Sequence, residues 1–426
     1  MAYLRLALEI NKHVDGYVDA YYGPTELKAQ VEAAEKRPPA ALLDDLAWLQ
    51  AHVPTGDPAR QSYLEATLRA MDCTLRLANG EQFDYLDEVH RLYDVSPAQV
   101  DESVFTAAHQ ELDILLPGTG SLSERLEARR QRYELRPEQA LPLIELARDE
   151  TRQRTAALVD LVDGEAVELR LTSNQPWSAY NWYLGHARSL IEFNTDLPIS
   201  ALAILATFAH EGYPGHHTEA QLKEKHIYLA RGYAEQAAML LHSPAAVIAE
   251  GLATTAVEII FPNHKNPRES APSASPPDHH DWNAEVLLPE AERVSGRLGE
   301  LTQETANQLR RLARASHNLR AVSGNAAILF HTGQASQAQT IEYIHTYALA
   351  NKQRAQQSFR FLSNPLFRSY LFTYTQGYNL IEQAAGGDSK WPLFHRLLLH
   401  QVLPSQLAQV ETGNPNPKSK IQNPKS

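Results

Sequence analysis

Apolar positions recur at i, i+3, i+4 and i+7 through roughly the first 160 residues, and Pro and Gly punctuate the runs. The pattern predicts helices over Tyr3–Val18, Thr25–Ala34, Pro39–His52, Asp57–Leu77 and Phe83–Leu92. Ser96-Pro97 offers an N-cap and a first-turn proline for a helix running toward Leu116. Ser121-Leu122-Ser123-Glu124 has capping-box spacing ahead of Leu126–Leu135. Pro137–Val162 reads as one long helix stopped at Asp163-Gly164.

The period then changes from about 3.6 to 2. Ala166–Thr172 (AVELRLT) alternates, Tyr180–Leu184 is a short run rich in aromatic and β-branched residues, and Ser189–Asn194 is a third extended candidate, which together predict a small antiparallel sheet. From Ile199 to about Val410 the pattern is helical again. Pro262–Trp282 (PNHKNPRESAPSASPPDHHDW) interrupts it, and its Pro, Ser and Asn content predicts an exposed loop. Glu411–Ser426 has no apolar periodicity and is expected to be a disordered tail. The expected architecture is mainly α: a helical region over residues 1–165, a chemistry-bearing region over 166–410 with a β-hairpin and helices, and the tail.

Composition narrows the function. The chain has 426 residues, 43% hydrophobic and 21% charged, as soluble globular proteins do. Its net charge of −12 argues against nucleic acid as a partner, because a phosphate backbone needs a basic face. Cys73 is the lone cysteine, which excludes an intrachain disulfide and a Cys-based zinc site. The N-terminus lacks a signal-peptide pattern, and the apolar stretch around Leu202–Ala209 falls well short of the ~20 residues that span a bilayer. A cytoplasmic protein with no membrane partner is expected; the pattern specifies no oligomeric state.

The chemistry concentrates in residues 197–217, LPISALAILATFAHEGYPGHH. Ala201–Ala209 is apolar on every face and therefore a buried helix, and its end delivers His210 and Glu211. An ionisable pair buried without a partner costs several kcal/mol, a conflict that a metal ion or a wet cleft removes. The zinc-peptidase helix H-E-x-x-H carries two ligand histidines at i and i+4, and this chain departs from it with His216 and His217. In an unbroken helix His217 would lie ~10 Å beyond His210, too far for two zinc bonds of ~2 Å. Pro214 forbids that helix: it clashes with the His210 carbonyl and biases Tyr213 away from helical geometry. A bend at 212–215 is therefore expected to carry His216 or His217 back toward His210, with His216 preferred. Pro244–Phe261 is a second amphipathic helix, and its Glu250, beside Gly251, is the candidate third ligand; Glu258 is a lesser one. Two His and one Glu leave a fourth zinc position for water, with Glu211 placed as general base.

Other groups carry weaker signals. Tyr370, Tyr374 and Tyr378 share one helix face at i, i+4 and i+8. Arg188, Arg320 and Arg368 are candidates to hold a substrate carboxylate, though salt bridging is their default. Glu342-x-x-His345 is half of a di-metal motif without a partner pair, and Asp278-His279-His280-Asp281 reads as a solvated patch.

With HEGYPGHH at 210–217 and EGLA at 250–253, the chain resembles the domain of unknown function 885 family, whose members look like distant gluzincin-type metallopeptidases. YLRLALEINKHVDGYVDAYYGP, PWSAYNWYLG and NPLFRSYLFTYTQGYNLI also resemble the family pattern, so the likeness runs over roughly residues 3–385. It implies a zincin-like multi-helix fold, one Zn²⁺ held by His210, His216 and Glu250, Glu211 as base, and Tyr374 as oxyanion donor. His217, Arg368 and Tyr378 remain further candidates. The expected function is a zinc-dependent hydrolase of peptides or small amides, of carboxypeptidase or small-peptide type. A non-catalytic metal- or ligand-binding descendant and a hydrolase of non-peptide esters or amides are the alternatives. Ser189–Asn194 is expected to offer the substrate an edge strand.

Overall fold

A computed structural model describes residues 1–175, 177–261, 281–386 and 389–408. The tail 411–426 and loop residues 262–280 lie outside the described residues. The described residues are mainly α-helical with three small sheets. Helices Thr25–Ala33, Pro39–Ala51, Pro58–Ala78 and Tyr85–Tyr93 lie where the apolar spacing puts them, while the helix expected over Leu126–Leu135 runs Leu122–Arg132 and gives way to a strand at Glu134–Leu135. The Ser121 capping box is formed, with Ser121 Oγ accepting from the Glu124 amide.

The departures have local causes. The first helix is Ala2–Asn11, shorter than its apolar pattern. The Asn11 side chain accepts from the Val18 amide, and Gly16 turns the chain at φ 80°. Val18–Tyr21 then becomes a strand paired antiparallel with Ala238–Leu240. The sixth helix opens at Glu102 rather than near Ser96, because Asp101 caps it by accepting from the Ser103 amide. Ile199–Ser200 pairs with Glu134–Leu135 instead of starting a helix. Trp282, expected in the exposed loop, is buried against Phe261.

The three-stranded sheet is mixed rather than antiparallel. Arg188–Asn194 lies in the middle, parallel to Ala166–Thr172 and antiparallel to Ala179–Gly185. With hydrogen bonds on both sides, 188–194 cannot serve as the expected edge strand; Ala179–Gly185 is the edge nearest the chemistry. The hairpin between them turns at His186-Ala187, both with positive φ, as a two-residue type I′ turn requires. Buried Glu224 accepts from both turn amides, which explains how this turn forms without Asn-Gly.

The helix Ile204–Glu211 sits between two apolar clusters. Ile204, Leu205 and Phe208 pack with Ile191, Phe193, Leu143 and Ile144, while Ala209 joins Val247, Leu252, Tyr370 and Phe372. The second cluster also takes Tyr85, Val89 and Tyr93 from the N-terminal region, so residues before and after 166 share one core. Each fully buried side chain such as Leu252 contributes about 1.5–3 kcal/mol, which makes this helix a rigid base for the His210–Glu211 pair at its end.

Candidate metal centre

The helix Ile204–Glu211 ends at Gly212, and a new one, His216–Lys223, begins four residues later. Pro214 has no amide to continue the first helix, and the Tyr213–Pro214 peptide is cis. The chain closes back tightly: the Gly215 amide donates to Ala209 O at 3.0 Å, and a Cβ at position 215 would lie 1.9 Å from His210 O. Only glycine fits there. Across this break the His210 and His216 rings meet nearly perpendicular, with centroids 4.7 Å apart.

Glu250 arrives from the helix Pro244–Ile260, which packs against both Ile204–Glu211 and Leu371–Ala385. Its Oε2 lies 3.3 Å from His210 Nε2 and its Oε1 3.8 Å from His216 Nε2. One ligand atom from each of the three residues falls within 4.8 Å of the others. Tetrahedral zinc with bonds of ~2.0–2.1 Å needs ligand atoms about 3.3 Å apart, so the donor set is of the right kind and nearly the right span. Glu250 Oε2 is buried and has no hydrogen-bond partner, since its approach to His210 lacks hydrogen-bond alignment. A buried carboxylate oxygen aimed at an imidazole nitrogen without bonding it is what a bridging cation resolves. The residues present fit the ion.

Electrostatics agree with that reading. Burial would lower the His210 pKa, but Glu250 and Glu211 outweigh it and raise it. Burial would raise Glu250, but the adjacent His210 and His216 hold it below the ordinary carboxylate range. Glu211 is raised, chiefly by burial and further by Glu250, against the two histidines. The Asn181 backbone amide on the edge strand works against that rise by donating to the carboxylate, and the Glu211 backbone carbonyl accepts from Asn181 Nδ2.

Tyr370, passed over in favour of its neighbours at the level of sequence, donates its hydroxyl to Glu250 Oε1 at 2.5 Å. The signal was present in the i, i+4 tyrosine stripe. Tyr374, one turn on, lies along the His210 ring with centroids 6.5 Å apart, is 37% exposed, and has no hydrogen-bond partner among the described residues. Desolvation by the surrounding protein and the Glu250 and Glu211 charges raise its pKa well above 10, so it stays a donor. The crossing that presents both tyrosines is a glycine contact: a Cβ on Gly251 would lie 2.7 Å from Gly377 O.

The remaining candidates lie elsewhere. His217 is fully buried and points away from His210. Its Nδ1 lies 2.8 Å from Ser189 Oγ and its Nε2 3.0 Å from Glu165 Oε2. A carboxylate only accepts, so Nε2 carries the proton and Nδ1 accepts from Ser189, leaving no lone pair for a metal. Tyr213, within the helix break, donates to the same Glu165 oxygen, and Arg152 Nε donates to the other at 2.6 Å. Burial would raise Glu165, but these hydrogen bonds outweigh it and leave it at about 2. This array anchors the bend, and no sequence spacing announced it. Arg368 is committed to buried Glu88 through both Nε and Nη2, and Tyr378 donates to Glu258, which Lys390 also holds. Asp19, on the strand Val18–Tyr21, also faces the site: it accepts from Tyr180, and burial with the Glu250 and Glu211 charges raises it to about 7.

No family model and no curated protein matches the chain. Among solved structures it is similar to a "putative lipoprotein" from Colwellia psychrerythraea, with a TM-score of 0.48 and 15% identity over 90% of this chain. It is also similar to a "putative lipoprotein of unknown function" from Shewanella oneidensis, with a TM-score of 0.45 and 14% identity over 86% of this chain and 69% of that one. The chain spans 62% of the length of the Colwellia protein. Among the described residues, no helix is long and apolar enough to cross a membrane.

Proposed function

We propose that this protein is a zinc-dependent hydrolase of amide bonds in peptides, with His210, His216 and Glu250 holding the ion and Glu211 as general base. The observation that carries the reading is the convergence of these three ligands across a proline-broken helix, beside the buried Glu211 carboxylate. When bound, the ion supplies a Lewis acid that polarises the scissile carbonyl and makes water acidic near neutral pH. The Glu211 carboxylate takes the proton from the attacking water, and the C–N bond breaks as that proton is delivered to the leaving nitrogen. The raised pKa of Glu211 suits a group that must both take and return a proton. Tyr374 has an uncommitted hydroxyl to donate to the developing oxyanion. Tyr370 keeps Glu250 oriented, and the Glu165–His217–Tyr213 array keeps the bend in place. The resemblance to the domain of unknown function 885 family points the same way. We take the setting to be cytoplasmic, where the buried Cys73 thiol stays reduced.

Metal analysis and one variant test this. About one zinc per chain is expected after zinc-supplemented expression, and Glu211→Gln should keep the metal and lose amidase turnover. A chain that takes up no zinc, or a Glu211→Gln variant as active as the parent, refutes the proposal. Turnover of esters but no peptide refutes its substrate class.

A further inference from the structure

We infer that Arg320 is a substrate-carboxylate anchor, so that the hydrolase acts on peptides with a free C-terminal carboxylate next to the scissile bond. The inference rests on the amide-hydrolase reading and specifies its substrate.

The geometry runs outward from His210. Tyr374 lies along the His210 ring, and Tyr378 follows it one turn on along Leu371–Ala385. The His317 ring packs on Tyr378 with centroids 4.6 Å apart. Residues Asn318–Arg320 form a single turn of 3-10 helix, in which side chains three apart eclipse, so Arg320 projects on the same side as His317. The wall facing the site therefore reads His210, Tyr374, Tyr378, His317, Arg320. The Arg320 charge disfavours protonation of the neighbouring His317.

Two features make Arg320 a ligand group rather than a structural one. It is exposed and has no hydrogen bond or ion pair among the described residues. The acidic groups nearby are engaged: Lys390 holds both Glu258 and Glu382, and Tyr378 donates to Glu258. By contrast, Arg368 spends its guanidinium on buried Glu88. The charge distribution also fixes direction. Asp19, Glu211 and Glu250 repel a carboxylate, whereas Arg320, at the other end of that wall, attracts one. An unpaired guanidinium offers a fork of donors matched to a carboxylate, and Tyr378 and His317 beside it offer a ring face for the last residue's side chain.

The test uses the full-length, zinc-loaded Glu211→Gln protein and two probes, benzoyl-glycyl-phenylalanine and its C-terminal amide, titrated calorimetrically. The free acid should bind tenfold or more tightly than the amide. Adding Arg320→Gln should erase that difference while leaving amide binding unchanged, and Arg320→Lys should restore part of it. Equal binding of acid and amide, or binding of neither, overturns the inference. A preference that persists in Arg320→Gln also overturns it, because the metal would then be reading the carboxylate. Failure of the hydrolase reading shows separately, as turnover that survives Glu211→Gln.

Discussion

Replacing Gly377 with alanine tests whether the site depends on how closely two helices approach. A Cβ at position 377 would lie 2.3 Å from Val247 O, 2.7 Å from Gly251 N and 2.8 Å from Gly251 Cα. All three are backbone atoms, so no side chain can swing aside, and the helices Pro244–Ile260 and Leu371–Ala385 must separate by about 1 Å to reach ordinary contact. The Tyr370–Glu250 hydrogen bond spans the same two helices at 2.5 Å, and such a separation takes it to the limit of bonding. Overpacking costs about 1–3 kcal/mol, loss of a hydrogen bond to a charged group about 1.5–3, and alanine's better helix propensity returns about 1. The net is a destabilisation of about 3 kcal/mol. For a chain of this size that lowers Tm by only about 3 °C, because the unfolding entropy is large. Zinc affinity is the sharper readout: a loosened Glu250 should weaken binding about 10–100-fold in a competition titration with a chromogenic chelator. A Gly377→Ala variant with the parent's Tm and zinc affinity would show that the glycine crossing does not hold the ligand.

The other predictions concern single groups. Tyr374→Phe should lower kcat on a peptide substrate by about 10²–10³-fold with unchanged zinc affinity, whereas Tyr370→Phe should do the reverse, weakening zinc first; identical behaviour of the two refutes the division of roles. Glu165 is held at about 2 in the folded protein against about 4.5 unfolded, so its contribution of about 3 kcal/mol is present above pH 4.5 and lost as pH falls toward 2. Glu165→Gln should therefore destabilise strongly at pH 7 and less than half as much at pH 3, by denaturant unfolding; a gap that is independent of pH contradicts this. Asp19 has the opposite sign. Its folded pKa of about 7 lies above the unfolded value, so the metal-free protein loses stability as pH rises from about 4 to 7. Asp19→Asn should flatten that slope in thermal melts, and an unchanged slope counts against it.

Much of the site was legible one residue at a time. Pro214 four places after His210 required a break, Gly212 and Gly215 permitted it, and Glu250 stood out as a carboxylate on an apolar helix. Tyr370 was harder, because an i, i+4 tyrosine stripe does not say which hydroxyl meets an acid. The Glu165–His217–Ser189 array joins residues up to 52 positions apart and has no local signature. The strand Val18–Tyr21 was hidden because its apolar residues continue the period of the helix before it, and only its pairing with Ala238–Leu240 reveals it.

The sequence by itself determined a mainly helical chain, a buried helix ending in an acid–base pair, and the impossibility of extending that helix to a second ligand. Those features come from short-range sterics, backbone chemistry and apolar periodicity. Tertiary structure alone decided which histidine turns inward, which tyrosine grips Glu250 and which acid takes up Arg368. Each depends on where a distant segment lies, and that placement comes from packing of whole helices and from buried partners that must be satisfied.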